Sequence, residues 1–422
     1  MEVLGKHMAS FQRYVCSRRS VVLRAAVILV VCLVLLELVM AVVTKSHWIA
    51  QYVGMPPPKV RLQDKSAKEQ ETSPSYIKAE FQKRKQLYQS GCLNTPRGKV
   101  APLLAHLPSR LAVCLTPKVG CTFWTRIMMF LNGNYTNQHV KSPFDIDRYS
   151  AHYDNKGVKF KYSFKEKNII EMGSDLTKVL FVRDPYARLW SAYLDKIFLP
   201  DYWHWLRMRL RIECPKNITF EQFLQIVTLD NDVHWEPLSH LCDPCSFQPA
   251  YIGRLETFSR DAAYILNNTG LGHLLMDKSS YTSHVQDELS LLIHYNFKLY
   301  EKRKITTLCL SPIDLAERLW VVFQYNGYFS LSDTFSRNIL KQKLHGQSVT
   351  ASRDIVTEFF VSYFNSQPHS EILSRWHEQR NNALQDAYRN IPHALLNTIA
   401  DKYVNDFILF DYEQYPSKYF KN

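Results

Sequence analysis

Cys114-Leu-Thr-Pro-Lys-Val-Gly-Cys-Thr-Phe-Trp-Thr-Arg-Ile-Met128 is the stretch from which the chain is read. The apolar run Leu111 to Leu115 predicts a short buried strand, residues 116–122 a loop, and the spacing from Phe123 to Leu131 a helix. A strand feeding a tight loop that opens a helix aims consecutive backbone N–H groups, and the positive end of the helix dipole, at one point. Such a point is a seat for phosphate. Pro117 stiffens the entry, Lys118 adds a mobile cation, and Gly120 lets the backbone approach a ligand closely. Thr122 puts a hydroxyl where it can cap the helix or bind an anion. Lys118 precedes the glycine and the helix, which separates this loop from the nucleotide loop ending in Gly-Lys-Ser/Thr. A plain strand–loop–helix with a solvated lysine has the same outline, so a second motif has to decide.

That motif is Lys178-Val-Leu-Phe-Val-Arg-Asp-Pro-Tyr-Ala-Arg-Leu-Trp-Ser-Ala-Tyr193. Lys178 to Val182 reads as a central strand, and Pro185 opens a helix whose apolar face is Leu189, Ala192, Tyr193 and Ile197. Arg183 then stands at the carboxyl end of a strand, where open α/β sheets bind ligands, and Ser191 about two turns into the helix. A guanidinium there can grip a phosphate with two bonds, and a serine hydroxyl adds a donor. The plain alternative for Arg183 is an ion pair with a neighbouring acid such as Asp184. A third block is Asn231-Asp-Val-His-Trp-Glu-Pro-Leu-Ser-His-Leu-Cys-Asp-Pro-Cys245, followed by Ile252-Gly-Arg-Leu-Glu-Thr257.

The 422 residues, 46% of them hydrophobic, can bury a sizeable core. An excess of 52 Lys+Arg over 39 Asp+Glu gives a net charge of +13, which suits acidic ligands. No nucleic-acid motif accompanies that charge, so nucleic acid is not the expected partner. Residues 1–20 carry Lys6, Arg13, Arg18 and Arg19 against Glu2 alone, and 21–43 are apolar apart from Arg24 and Glu37. This predicts a cytosolic tail and a single membrane-crossing signal anchor with the remainder lumenal, although Glu37 is costly inside a bilayer. A cleaved signal peptide is the alternative, but no small-x-small site closes the segment. Residues 44–108 read as a polar stem, with Tyr76 to Tyr88 able to form a helix. Three sequons, at Asn134, Asn217 and Asn267, fall on the lumenal side. Seven cysteines follow the anchor, which in an oxidising lumen predicts disulfides and at least one free thiol. Cys242 and Cys245 could also be half a zinc site with His234 or His240, and disulfides, not necessarily to each other, are the preferred reading.

Pro117-Lys-Val-Gly-Cys-Thr-x-Trp124 resembles the 5′-phosphosulfate loop of sulfotransferases, in the form shown by the membrane-bound HNK-1 / chondroitin 4-O-sulfotransferase family. The phrase Phe181-Val-Arg-Asp-Pro-x-x-Arg-Leu-x-Ser-Ala-Tyr193 and the His234-Trp, Leu-Cys-x-Pro-Cys245 and Gly253-Arg-x-Glu-Thr257 blocks extend the likeness. The chain departs from the family at Pro249-Ala250-Tyr251, which puts acceptor contacts there in doubt. The likeness covers Leu111 to His273, lapses over 274–393, and returns at Ile399 to Tyr412, whose aromatics are read as packing the last helix and tail. The intervening segment is helical in pattern over Pro312 to Tyr325, Ser352 to Tyr363 and His369 to Tyr388. It either lines an acceptor groove or covers the core.

The resemblance implies an α/β sulfotransferase fold: a central parallel sheet flanked by helices, a core over 109–273, a helical insertion over 274–393, and a closing segment over 394–422. It implies 3′-phosphoadenylyl sulfate (PAPS) as donor, no metal, and a glycan hydroxyl as acceptor, with N-acetylgalactosamine of chondroitin or dermatan foremost and a Golgi membrane as location. Donor contacts would come from Pro117, Lys118, Val119, Gly120, Cys121, Thr122 and Phe123 on the 5′ side, and from Arg183, Arg188 and Ser191 on the 3′-phosphate side. Lys118 would neutralise the leaving phosphate, and His234 would take the acceptor proton; His240, His152 and Glu236 stay open for that role. Two other readings survive: a Golgi glycosyltransferase using Asp145-Ile-Asp147 on a metal, and a non-catalytic glycan-binding relative.

Overall fold

The computed structural model describes residues 73–93, 95, 103–133, 135, 139–153, 175–275 and 281–420. The expected tail and anchor lie outside these residues, as do most of the stem and the sequon at Asn134. Among the described residues no helix is long and apolar enough to cross a membrane.

The folded unit begins inside the expected stem. Helix α1 (Pro74–Gly91) is capped by the Ser73 side chain and buries Ile77, Phe81, Arg84 and Tyr88, a stripe at helical spacing interrupted in sequence by charge. Arg84 donates to Asp261 at 2.5 Å and to the Ile252 carbonyl at 3.1 Å, and the Tyr88 hydroxyl donates to the Pro249 carbonyl at 3.0 Å. A Cys92–Cys245 disulfide closes the attachment. The boundary at residue 109 is therefore corrected: Lys and Glu between the apolar positions disguised a core-facing helix as a polar spacer.

Strands β1 (Leu103–His106), β2 (Leu111–Cys114), β3 (Thr177–Val182) and β4 (Tyr251–Arg254) form one sheet in that order. β1 runs antiparallel to β2, and β2, β3 and β4 are parallel, with Cys114 opposite Leu180 and Val182 opposite Arg254. Leu111 to Cys114 and Val179 to Val182 are all buried, as expected of parallel strands covered on both faces. Gly253 in β4 is required by packing: a Cβ there would lie 2.4 Å from the Phe181 ring.

Helix α2 (Cys121–Leu131) leaves the phosphate-type loop, and α3 (Arg148–Tyr153) packs beside it. Helix α4 (Pro185–Ala192) follows β3 and winds on through a wider turn, Tyr193–Phe198, burying Leu189, Ala192, Tyr193 and Ile197. Then come α5 (Trp203–Leu210), α6 (Phe220–Leu229) and, after β4, α7 (Phe258–Asn268). The C-terminal half is helical: α8 (Tyr281–Lys302), α9 (Pro312–Tyr325), α10 (Val349–Asn365), α11 (His369–Tyr388), α12 (His393–Lys402) and α13 (Val404–Phe410) are its main elements.

These helices are not a cover laid over a finished domain. Val285, Leu289 and Ile293 of α8, Leu319 and Phe323 of α9, and Phe360 of α10 join Tyr186, Leu189 and Trp203 in one continuous apolar core. A second core lies against the sheet and holds α1, α2 and α7. The closing aromatics pack as expected: Tyr403, Phe407 and Phe410 are buried. Cys114 pairs with Cys242 and Cys214 with Cys309, so Cys242 and Cys245 both sit in disulfides, with different partners. Among the described cysteines Cys121 is the free thiol.

Candidate functional site

The loops after β2 and β3 leave the same edge of the sheet. Gly120 adopts a left-handed φ of 88°, which turns the chain sharply enough for α2 to begin at Cys121, two residues earlier than its spacing suggests. Gly120 is needed for packing more than for ligand approach: a Cβ would meet the Phe258 ring at 2.4 Å. No side chain caps α2, so its first amides have no side-chain acceptor. Thr122 is already inside the helix, and its hydroxyl lies 3.0 Å from His152 Nδ1, so the capping expectation is not met. The Phe123 N–H donates to the Gly120 carbonyl, which removes it from the expected set of phosphate donors.

Lys118 also has a left-handed φ, 71°, an unfavourable conformation for a side chain of its kind. Its ammonium donates to Asp195 Oδ2 at 2.7 Å. Asp195 lies in the turn after α4, 3.4 Å from Lys196, which itself donates to Asp201 at 2.6 Å. Two cations thus alternate with two carboxylates. Burial opposes the charge on Asp195, but Lys118 and Lys196 hold its carboxyl well below the usual range. Burial likewise works against the Lys196 ammonium, while Asp195 and Asp201 push it up to about 12.

Arg183 is 8% exposed and donates from Nη1 to the Lys118 carbonyl at 3.3 Å, which ties the two motifs together. Its expected alternative partner Asp184 instead caps α4 through the Ala187 N–H at 2.9 Å. Burial, then the charge of Arg380 from α11, lowers the Arg183 pKa to about 10. Ser191 is half-buried on α4. Arg188 is corrected as a donor ligand. It is 1% exposed, and its guanidinium donates to the carbonyls of Pro117, Glu236 and Val233 at 3.2, 2.6 and 3.0 Å. It braces the loop from behind and joins it to the His234 segment.

His234 is held by a carboxylate, with Nδ1 2.6 Å from Asp232 Oδ1 and 3.0 Å from the Tyr202 hydroxyl. The Tyr202 hydroxyl also donates to both oxygens of Asp232, at 3.1 and 2.9 Å. A carboxylate on Nδ1 fixes that nitrogen as N–H and leaves Nε2 as the proton acceptor. Burial lowers the His234 pKa, with Asp232 pulling the other way and Lys196 and Asp195 also felt. Lys196, 3.4 Å from Asp195, lies 5.9 Å over the ring of Tyr202, and that tyrosine links the histidine to the Lys118–Asp195 pair. His240 is instead exposed beside Glu236 at 4.0 Å. His152 stands at the loop through Thr122.

Asp195, Asp201, Asp232, Tyr202 and Arg380 escaped sequence reasoning. Asp195 follows Ser191 by four positions and Asp232 precedes His234 by two, spacings that could have singled them out. Pro249 to Tyr251 lie at the start of β4, the sheet edge opposite the loops, so the departure there does not touch the site. Asp145 accepts from the Lys141 and Ser142 amides and Asp147 from the Ser150 amide, so both carboxylates stabilise local turns. No cluster of three metal-ligating side chains occurs among the described residues.

An uncapped helix start, a lysine on the loop before it and a buried arginine at the next strand end are, together, an arrangement whose chemistry suits a phosphate group on an α/β sheet. A model of the sulfotransferase family matches residues 107–318, half of the chain, and the chain belongs to that family. The match continues past Leu274 through α8 into α9, so the expected lapse there is corrected. Human carbohydrate sulfotransferase 9 is 33% identical over 212 residues, covering 44% of this chain and 46% of that protein. Human carbohydrate sulfotransferase 8 is 29% identical over 214 residues, covering 44% and 49%. Carbohydrate sulfotransferase 10 of Xenopus laevis is 30% identical over 190 residues, covering 39% and 52%. The chain spans about half the length of these curated relatives. No solved structure matches it.

Proposed function

We propose that the chain is a PAPS-dependent carbohydrate sulfotransferase of the Golgi membrane, with a lumenal catalytic unit and N-acetylgalactosamine of chondroitin or dermatan (4-O) as acceptor. The observation that carries the reading is the Lys118–Asp195 pair on a phosphate-type loop, joined to a His234–Asp232 dyad through Lys196, 3.4 Å from Asp195, and Tyr202, whose hydroxyl lies 3.0 Å from His234 Nδ1. The donor set suits PAPS: the first amides of α2 and Lys118 suit its 5′-phosphosulfate, and Arg183 with Ser191 its 3′-phosphate. PAPS supplies an activated sulfuryl group. The acceptor oxygen bonds to sulfur as the bond from sulfur to the bridging phosphate oxygen breaks. His234 Nε2 takes the hydroxyl proton, and Lys118 balances the negative charge left on 3′,5′-ADP. Arg188 keeps the loop and the His234 segment in register.

Three disulfides support an oxidising compartment. The carboxylates of Asp145 and Asp147, committed to backbone amides, weigh against the glycosyltransferase alternative. Retention of Lys118, Arg183 and Ser191 weighs against a non-catalytic relative. The test is transfer of labelled sulfate from PAPS to a panel of desulfated glycans by the full-length chain, with Lys118→Ala as control. Transfer abolished by that substitution supports the proposal and names the acceptor. No transfer, together with no binding of 3′,5′-ADP, would sink it.

A further inference from the structure

Helix α5 carries an unusual face. Trp203 and Leu206 are fully buried against the helical core. A second face, His204, Arg207 and Met208, follows the i, i+3, i+4 spacing, and these three and Arg211, the residue that ends the helix, are all exposed, Met208 by 70%. Arg209, between them, is occupied by Asp230 at 2.8 Å. Neither Arg207 nor Arg211 forms an ion pair among the described residues. From Arg207 to Lys216 there are four cations and one acid, Glu213. At about 1.5 Å per residue the stripe is about 10 Å long.

Its position gives the stripe meaning. Tyr202, one residue before α5, bonds both members of the His234–Asp232 dyad. Trp205 packs on Trp235 with ring centroids 6.0 Å apart, and on Tyr202 at 6.1 Å. Tyr202 and Trp205 are both half-buried, so each keeps part of an aromatic face open as apolar surface for a sugar ring, one beside the dyad and the other within α5. The Cys214–Cys309 disulfide fixes the far end of the segment to the helical half. Arg211 is held with a left-handed φ of 54°, where glycine or asparagine is the unstrained choice.

We propose that His204, Arg207 and Arg211 form an acceptor track for a polyanionic glycan, gripping carboxylates or sulfates on sugars flanking the one presented to His234. This rests on the sulfotransferase reading and deepens it: the acceptor is a charged polymer, and α5 selects it. A neutral N-acetylgalactosamine-terminated oligosaccharide would reach His234 without engaging the track. The track acts through long-range attraction, so its contribution falls as salt rises.

The test compares full-length wild type, Arg207→Glu/Arg211→Glu and, as a charge-reversal control, Lys341→Glu at an exposed lysine of the helix Arg337–Leu344, each with chondroitin and with a neutral N-acetylgalactosamine-terminated oligosaccharide. For the double variant the expected result is a rise of at least about tenfold in KM for chondroitin, shrinking at high salt. Its KM for the neutral acceptor, kcat and 3′,5′-ADP affinity stay at wild-type values, which also certifies folding. An unchanged chondroitin KM, an equal loss on both acceptors, or an equal loss in the control overturns the track. Wild-type transfer to the neutral acceptor alone overturns it too and leaves the sulfotransferase reading intact. Absence of both transfer and 3′,5′-ADP binding in wild type removes the two together.

Discussion

Replacing Asp195 by Asn removes the charge that Lys118 and Lys196 share while keeping the side chain's shape. The side chains of Asp195 and Lys118 are 15% and 18% exposed, and that of Lys196 is 3% exposed. Removing one member of a buried pair costs about 3–5 kcal/mol, because the remaining charge is left uncompensated. Lys196 keeps Asp201 at 2.6 Å, and Lys118 retains some access to solvent, so the lower end, about 3 kcal/mol, applies. Unfolding entropy of about 2 cal/mol/K per residue across the compact unit Glu71–Asn422 makes that a fall in Tm of roughly 4 °C. The sign with pH follows from the depressed pKa of Asp195. Its contribution is complete above the unfolded carboxylate value, about 4, and is lost as pH falls through the lower folded value. Thermal unfolding followed by near-ultraviolet circular dichroism should show the full gap between wild type and variant at neutral pH, narrowing below about pH 4. Because Asp195 competes with a phosphate for Lys118, the variant should bind 3′,5′-ADP at least as tightly as wild type. Equal Tm values at neutral pH, or weaker 3′,5′-ADP binding in a folded variant, would refute the account of this pair.

Gly120→Ala should lose about 3 kcal/mol of stability, from the left-handed φ and from contact with the Phe258 ring, and part should return when Phe258 is trimmed to Leu. Asp232→Asn disturbs the tautomer of His234, so kcat should fall about 100-fold with 3′,5′-ADP affinity unchanged; a matched loss of both would assign Asp232 a structural role instead. Wild-type turnover should disappear on acidification with a midpoint below 6.5, because burial favours neutral His234 and a protonated ring cannot accept the acceptor's proton. Arg380→Ala removes a positive charge felt by Arg183, so 3′,5′-ADP should bind more weakly while its binding to Lys118→Ala and to the double variant Lys118→Ala/Arg380→Ala differs by the same factor.

Strands β2 and β3 and the loops after them were legible because each is local: an apolar run, a glycine or proline, then helical spacing; β1, inside the expected stem, and β4 were not read as strands. Arg183 could be placed at a strand end from sequence alone, but the reach of Arg188 could not. Whether an arginine faces a ligand or the carbonyls of Pro117, Val233 and Glu236 depends on contacts across dozens of residues. The same holds for α1, whose fit to β4 and α7 rests on Arg84 meeting Asp261. The insertion's helices were readable over Pro312–Tyr325 and His369–Tyr388, yet not their sharing of a core with α4. Asp195 and Asp232 were overlooked for another reason: an acid beside a lysine or histidine is commonplace in sequence, and only distance distinguishes a working pair.

The most direct test of the donor site is calorimetric titration of the full-length chain with 3′,5′-ADP and with 5′-AMP, in wild type and in Arg183→Ala. A charge-assisted grip on the 3′-phosphate predicts roughly 10–100-fold tighter binding of 3′,5′-ADP by wild type, and near equality of the two ligands in the variant. Equal binding of the two nucleotides by wild type, or a preference that survives loss of Arg183, would contradict the site described here.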